Sequence, residues 1–284
     1  MEVILSIQAS EDRVWALAWS EAGHIFATSS SDRKIKVWSE QGSLLCALDE
    51  GHTKTIRHLA FSPQGNLLAS ASFDGTTCLW RKEAGETLDF TLVQQLQDHQ
   101  NEVKAVAWSN GGDYPGQFLA TCSRDKTIYI YEADSEDMLT SGVEDDEFEF
   151  SVSAILSGHT QDVKFVKWHP TENLLFSASY DNTVKCWEYS EAVDDWLCAY
   201  TITGHRSTVW QIDFSPDGSH MCACSEDMTW SVWEITRNSF KSIGIIPDQH
   251  SRSIYSISWS PSGLIATGSA DNKVCVVKVD ISGA

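Results

Sequence analysis

Short runs of alternating apolar and polar residues recur along the chain, and turn residues such as Ser-Pro-x-Gly or Asp-Gly follow many of them. Alternation with a period of two is the pattern of a half-buried β-strand, and Gly, Pro, Asn and Asp between such runs indicate tight turns. No segment shows the 3.6-residue period of an amphipathic helix. The pattern therefore predicts an all-β chain built from many short strands.

The runs fall into six similar segments. Three of them, at 51–80, 158–187 and 204–233, align without gaps, and more divergent copies lie at 12–38, 98–131 and 249–277. A further strand-like stretch precedes most copies, as in SVSAIL, which predicts four strands per repeat. The predicted repeats are 8–48, 51–96, 98–156, 158–202, 204–246 and 249–280, and residues 2–7 are expected to supply the outer strand of the last one.

Each copy carries an aspartate in the turn between two strands. These residues are Asp32, Asp74, Asp125, Asp181, Asp227 and Asp271. Their spacing is close to the roughly 40–45 residues of one propeller blade. Five copies have His near the start, preceded by Gly in three of them, and four copies end in Trp. With the aspartate spacing, this pattern resembles the WD-repeat family of β-propellers. The expected fold is a single WD-repeat β-propeller of four-stranded blades, with six repeats present.

The repeated polar residues suit a buried hydrogen-bond network. The turn Asp accepts from the His, the His meets a Ser or Thr hydroxyl, and the hydroxyl meets the Trp N–H, so that no buried polar group is left unpaired. The set is complete in two repeats: His52, Ser70, Asp74 and Trp80, and His159, Ser177, Asp181 and Trp187. The other repeats each lack one member; the fifth, for example, has Ala223 in place of the hydroxyl. We expect those four to be held less rigidly.

The chain is strongly acidic, with 40 Asp and Glu against 20 Lys and Arg and a net charge of −20. Such a charge disfavours direct nucleic-acid or anionic-membrane binding. No apolar run approaches the roughly 20 residues that span a bilayer, and the N-terminal MEVILSIQ lacks the basic flank of a signal peptide. The acidic stretch 132–150 is interpreted as a solvated loop between blades, with a docking segment for a basic partner as the alternative.

The sequence gives little support for a metal site or a catalytic site. The His residues of the Gly-His pairs belong to different repeats, so they do not form a zinc pair. The eight cysteines include no CxxC pair and are expected to be reduced core residues. No nucleophile elbow, P-loop or dinucleotide motif is present. Trp19, Trp108, Trp168 and Trp259 recur at one position and are expected in the core. We predict no enzyme activity, no metal and no cofactor.

By analogy with other WD-repeat proteins, two positions of each repeat are expected at the mouth of the central channel. One precedes the turn Asp and the other lies five residues after the His. They are basic and aromatic: Arg124, Arg57, Lys104, Lys164, Trp15, Phe73, Tyr180, Trp210 and Tyr255 are the candidate partner- and client-binding residues. Exposed aromatics beside Arg are typical of interaction hot spots. A ring of bases in an acidic protein favours an acidic peptide. The alternative is that several pair with neighbours such as Glu102 or Asp162.

Several longer strings narrow the resemblance, among them LATCSRDKTI, GHTQDVKFVKWHP and DDWLCAYTITGHRSTVW. They resemble the WD-repeat subunits of the cytosolic iron–sulfur protein assembly targeting complex, over essentially the whole chain. The resemblance implies a non-catalytic adaptor without its own cluster that acts in the cytoplasm, with the nucleus as an additional location. It also implies seven blades, whereas the sequence supplies six repeats.

The same resemblance implies partners and a ligand. The partners would be a small acidic subunit, a HEAT-repeat subunit, a hydrogenase-like cluster carrier and apo-protein clients, with no direct contact to nucleic acid or membrane. Arg124 matches an exposed arginine that the family uses in binding, and clients often present an acidic tail ending in an aromatic residue. The alternative function is a generic WD-repeat scaffold, such as a ubiquitin-ligase substrate receptor or a histone-tail reader.

Overall fold

All regular structure in the described part of the chain is β-strand. The computed structural model describes residues 5–83, 85, 88–110, 115–134, 149–236 and 239–279. Its strands are β1 Val14–Trp19, β2 Ile25–Ser30, β3 Ile35–Ser39, β4 Leu44–Leu48, β5 Ile56–Phe61, β6 Leu67–Ser72, β7 Thr77–Lys82, β8 Phe90–Leu96, β9 Val103–Trp108, β10 Phe118–Ser123, β11 Thr127–Ala133, β12 Phe150–Ser157, β13 Val163–Trp168, β14 Leu174–Ser179, β15 Val184–Ser190, β16 Asp195–Ile202, β17 Val209–Phe214, β18 His220–Ser225, β19 Trp230–Thr236, β20 Ser239–Ile246, β21 Ile254–Trp259, β22 Leu264–Ser269 and β23 Val274–Lys278. The predicted all-β class is confirmed.

The strands form six antiparallel sheets, each from consecutive strands of the chain. The first to fifth sheets are β1–β4, β5–β8, β9–β12, β13–β16 and β17–β20, and the sixth is β21–β23. A four-stranded antiparallel sheet made by one repeat is the blade of a WD-repeat propeller. The predicted WD-repeat architecture is therefore confirmed, sheet by sheet.

The sixth sheet differs from the prediction. Within the described residues it has three strands, and residues 5–7 do not belong to any strand. The side chains of Leu5 and Ile7 instead lie over Gly42 in the turn between β3 and β4, where a Cβ would come within 2.7 Å of Leu5. Gly42, at φ +84°, supplies both the turn and the space. The predicted strand role of residues 2–4 lies outside the described residues, as does most of the acidic stretch, 135–148.

The described chain divides into two compact units. The first unit contains the first three sheets up to Ile155, and the second unit begins at Leu156. In the first unit, the indole N–H of Trp108 donates to the Ala60 carbonyl of the preceding sheet at 3.0 Å. In the second unit, Asp213 accepts from Lys167 of the sheet before it and from the Trp259 backbone of the sheet after it. Successive sheets within a unit are thus joined by hydrogen bonds as well as by apolar packing.

The prediction for the recurrent tryptophans is wrong at one position. Trp108, Trp168 and Trp259 are buried, whereas Trp19 of β1 is 51% exposed. The Trp19 ring contacts Phe26 on the next strand at 4.8 Å between centroids. Such a tryptophan is buried only where a neighbouring sheet packs against it. The second sheet packs against Trp108 in this way. The position of a tryptophan within its repeat does not determine whether such a sheet is present.

Candidate recognition site

A β-bulge marks one residue near the start of the first strand of every sheet. The cross-strand register skips one residue there, so the bulged residue has no directly paired partner. A bulge redirects the side chain and interrupts the ladder. The bulged residues, called the bulge positions below, are Trp15, Arg57, Lys104, Lys164, Trp210 and Tyr255. All six belong to the positions predicted from the spacing after the Gly-His pair or its equivalent.

The residue before each turn Asp lies next to its bulge position. Its backbone N–H donates to the carbonyl two residues before the bulge, as Arg124 does to Glu102 and Tyr180 to Asp162. The same bond occurs in all six sheets, with Ser31, Phe73, Glu226 and Ala270 at the other turn positions. Each sheet therefore presents a pair of adjacent side chains at the same strand ends.

In the first unit, aromatic and basic members of this set contact one another. Trp15 and Phe73 meet edge to face with ring centroids 6.2 Å apart. The Arg57 guanidinium lies 5.3 Å from the Trp15 ring centroid, and Lys104 Nζ lies 4.3 Å from that of Phe73. These are cation–π distances. Burial lowers the pKa of Arg57, which remains charged because an arginine keeps its proton at physiological pH.

Glu102 joins Arg124 to this cluster. Its carboxylate lies 2.5 Å from Lys104 Nζ and 3.7 Å from an Arg124 nitrogen. The Lys104 side chain is 14% exposed, whereas that of Arg124 is 55% exposed. The pairing of Lys104 with Glu102, which the sequence left open, therefore occurs. The charge of Arg124 is therefore more accessible than that of Lys104.

In the second unit, a similar arrangement surrounds Lys164. Its ammonium lies 3.0 Å from Asp162, 5.1 Å from the Tyr180 ring centroid and 5.4 Å from that of Trp210. The Trp210 and Tyr255 rings meet edge to face at 5.2 Å. Tyr180 and Tyr255 are about half exposed, whereas the Lys164 side chain is 12% exposed. A lysine of the protein itself therefore occupies the space between the aromatic rings.

The predicted buried networks have the expected connections in the two complete repeats. Trp80 N–H donates to Ser70 Oγ at 2.9 Å, and the Ser70 hydroxyl lies 2.8 Å from His52 Nε2. His52 Nδ1 lies 3.1 Å from Asp74. His159, Ser177, Asp181 and Trp187 repeat the pattern at 2.7–2.8 Å. Burial raises the pKa of Asp74, but hydrogen bonds from His52 and Thr76 outweigh it and hold that pKa well below its usual range.

Two of the incomplete repeats show how the network changes where a member is missing. In the fifth sheet, Ser231 takes the hydroxyl role, 2.9 Å from His205 Nε2 and 3.0 Å from Trp233 Nε1. Ser231 lies directly across from Ala223 in the ladder, which explains the substitution. In the third sheet, the Tyr131 hydroxyl donates to Asp98 at 3.0 Å. The expectation of a missing hydroxyl contact is thus wrong for the fifth sheet.

Other chemistry is sparse in the described residues. They contain no group of three or more His, Cys, Asp or Glu placed to hold a metal ion, and no helix long and apolar enough to cross a membrane. Burial raises the pKa of Cys78 to about 12, which keeps its thiol protonated. A cavity of about 290 Å³ in the second unit is lined by residues including Glu172, Glu188 and Phe240, and none of the predicted binding residues lines it.

The family model for the WD domain, G-beta repeat, matches six segments of the chain: 1–39, 42–81, 90–132, 150–188, 196–234 and 240–278. The chain belongs to the WD-repeat proteins. Relatives that are 36% and 38% identical over nearly the whole chain place it, within that class, in the family of the cytosolic iron–sulfur protein assembly protein 1.

Three curated relatives are similar over nearly all of this chain. A probable cytosolic iron–sulfur protein assembly protein 1 from Kluyveromyces lactis is 36% identical, covering 100% of this chain and 84% of its own length. The protein of the same name from Eremothecium gossypii is 38% identical, covering 98% and 83%. A probable cytosolic Fe–S cluster assembly factor from Schizosaccharomyces pombe is 35% identical, covering 97% of this chain and 46% of its own length.

Proposed function

We propose that this protein acts in cytosolic iron–sulfur protein assembly as a non-catalytic adaptor. The family relationship supports the pathway, because the relatives are named as assembly proteins of that kind. The WD repeats support the adaptor role, because propellers of this class present strand-end surfaces to partners. Its partners would be the small acidic subunit, the HEAT-repeat subunit, the hydrogenase-like cluster carrier and apo-protein clients. It would act in the cytosol and also in the nucleus.

Within each unit, the bulge and turn positions supply the proposed binding residues. Each of the six bulges carries one residue without a directly paired cross-strand partner, and all six are basic or aromatic in a chain with a net charge of −20. The observation that carries the proposal is the first-unit cluster, where Arg124 stands exposed beside Lys104, Phe73 and Trp15. Such a surface suits an acidic tail ending in an aromatic residue, since carboxylates meet the bases and the ring meets the aromatics.

The alternative of a histone-tail reader has less support. A reader of methylated lysine needs an open aromatic cage for the ligand ammonium. In the second unit, Lys164 already occupies the space beside Tyr180 and Trp210. In the first unit, Lys104 covers Phe73 and Arg57 covers Trp15. The aromatic faces therefore favour a ligand that brings carboxylates rather than cations.

Charge reversal of Arg124 tests this function. We expect Arg124→Glu to abolish recovery of assembly subunits and client proteins in affinity purification, and to leave the free energy of unfolding within about 0.5 kcal/mol of wild type because the side chain is exposed. The matched control is Lys82→Glu, the same charge change on an exposed side chain at the far end of a strand in the same unit. Equal recovery by Arg124→Glu and wild type would contradict the proposed surface, and an unfolded variant would assign Arg124 to the fold.

A further inference from the structure

Two tryptophans occupy bulge positions, and their indole N–H groups differ. In the first sheet, Trp15 Nε1 donates to Ser31 Oγ at 2.8 Å. In the fifth sheet, Trp210 Nε1 is buried and finds no hydrogen-bond partner among the described residues. A buried N–H without an acceptor costs free energy, and native structures contain few such groups. The unpaired donor therefore requires an explanation.

The turn position explains why the two tryptophans differ. Ser31, which accepts from Trp15, is the residue before the turn Asp of the first sheet. Glu226 holds the same place in the fifth sheet, and its carboxylate accepts from Ser207 Oγ at 3.4 Å instead. Glu226 therefore does not pair with the Trp210 N–H in the way that Ser31 pairs with that of Trp15. The donor is left available at the surface where a ligand is expected.

The groups around Trp210 suit a carboxylate. Lys164 Nζ lies 5.4 Å from its ring centroid and bonds to Asp162 at 3.0 Å. The ring that stands edge-on against Trp210 is Tyr255, which is about half exposed. The Tyr255 ring therefore lies against Trp210 with one side open to solvent. A negatively charged acceptor would then meet one neutral donor and one ammonium.

We propose that the Trp210 indole N–H, together with Lys164, binds a carboxylate of the acidic ligand, with the Tyr255 ring turning aside to admit it. This inference rests on the proposed function, and it concerns a specific donor within the second unit. It assigns Trp210 a polar role, whereas its ring contacts alone would assign it a packing role.

The test measures binding of a labelled octapeptide of alternating Gly and Asp that ends in Phe with a free carboxylate. On binding to wild type, the indole ¹H–¹⁵N resonance of Trp210, assigned from its absence in Trp210→Phe, should shift downfield. Affinity should fall about tenfold in Trp210→Phe. It should fall similarly when benzothienylalanine, which keeps the bicyclic ring but lacks the N–H, replaces Trp210. Trp19→Phe, at an exposed tryptophan outside the proposed surface, is the matched control and should bind like wild type.

Stability gives a second, independent readout. Benzothienylalanine at position 210 should leave the Tm unchanged or slightly higher, because it keeps the bicyclic ring and removes a donor that has no acceptor. The same replacement of Trp15 should lower the Tm, because it removes the donor that pairs with Ser31. An equal fall of the Tm in both variants would overturn the inference, because the Trp210 N–H would then have a structural partner.

The outcomes also separate this inference from the proposed function. If wild type binds the peptide and the benzothienylalanine protein binds equally well, the role of Trp210 is wrong and the acidic-ligand proposal stands. If wild type does not bind the peptide, or binds an amidated Gly-Asn analogue just as well, recognition of an acidic ligand is itself wrong.

Discussion

The first and fifth sheets depart from the complete repeat in opposite ways. The first sheet lacks the histidine, and Ser10 takes its place by donating to Asp32 at 2.8 Å. The fifth sheet keeps His205 and lacks the usual hydroxyl, which Ser231 of the neighbouring strand supplies. Both sheets nevertheless keep the bulge, the turn and the antiparallel register. The comparison shows that the repeat needs an acceptor aspartate and a chain of donors, rather than a particular residue at each place.

The same two sheets differ more at the surface than inside. Each presents a tryptophan at its bulge position, but Ser31 satisfies Trp15 and nothing described satisfies Trp210. One residue before the turn Asp decides the difference. In both sheets another residue replaces the missing member of the internal network, whereas the Trp210 N–H of the fifth sheet is left without a partner among the described residues. This contrast directs attention to Trp210 as a binding group.

The largest expected effect comes from removing the turn aspartates. Asp227 accepts from His205, from Thr229 and from the Arg206 backbone, whereas Asp32 accepts from Ser10 and the Lys34 backbone. We expect Asp227→Ala to lower the free energy of unfolding by about 3 kcal/mol, because it removes the carboxylate that pairs with the buried His205 Nδ1, and Asp32→Ala to lower it by about 1 kcal/mol. Urea unfolding measures both. Equal losses of unfolding free energy in the two variants would contradict this expectation, because the bond to His205 would then contribute nothing to stability.

The substituted hydroxyl of the fifth sheet gives the next effect. Ser231→Ala removes the acceptor of Trp233 and the partner of His205, and we expect a loss of about 2 kcal/mol. The double variant Ala223→Ser with Ser231→Ala restores a hydroxyl directly across the ladder. Thermal unfolding should show partial recovery of the Tm in the double variant. Additive losses in the double variant would show that the network depends on the strand from which the hydroxyl comes.

Acid sensitivity provides a smaller contrast. Burial raises the pKa of Asp227, but hydrogen bonds from His205 and Thr229 outweigh it and lower that pKa below the ordinary value. A lowered folded-state pKa contributes stability above the unfolded pKa of about 3.9, and that stability is lost as the pH falls toward the folded value. Between about pH 5 and pH 2, wild type should therefore lose more stability than Asp227→Asn. Parallel plots of unfolding free energy against pH for wild type and Asp227→Asn would contradict this expectation.

The smallest effect concerns the backbone after the turn aspartates. Arg33 and Met228 both have φ near +70°, a left-handed conformation that glycine adopts without strain, as Gly75 does in the second sheet. Arg33→Gly and Met228→Gly should each raise stability by up to about 1 kcal/mol. Equal increases in stability, measured by calorimetry, would confirm that the two turns have the same backbone conformation. A decrease in either variant would show that the Arg33 or Met228 side chain makes stabilising contacts.

Much of the fold follows from local sequence. The two-residue alternation and the regular aspartate spacing indicate the strands and the repeats, because each repeat folds mainly through contacts between neighbouring strands. The outer strand of the sixth sheet and the burial of Trp19 do not follow. Both depend on what packs against a sheet, and a pattern within one repeat does not contain that information.

The site is less visible from the sequence than the fold. The bulges fall at Trp, Arg, Lys and Tyr residues, without the Gly or Pro that usually signals an irregular strand. The contact of Lys104 with Phe73, and that of Lys164 with Trp210, joins residues of successive repeats. Ser231 was missed because it replaces a group on the adjacent strand. Cross-strand register would have revealed it, since Ser231 and Ala223 are directly opposed.

Within each repeat, the bulge position differs from the paired strand positions in what its side chain determines. A residue that has no cross-strand partner contributes little to strand pairing, so its identity is free to change without altering the ladder around it. Mutation can therefore change the residues at the six bulge positions, one per sheet, while the remaining residues continue to determine the fold. Redesign of binding preference in this protein should therefore begin at these six residues, where new specificity carries the least risk of misfolding.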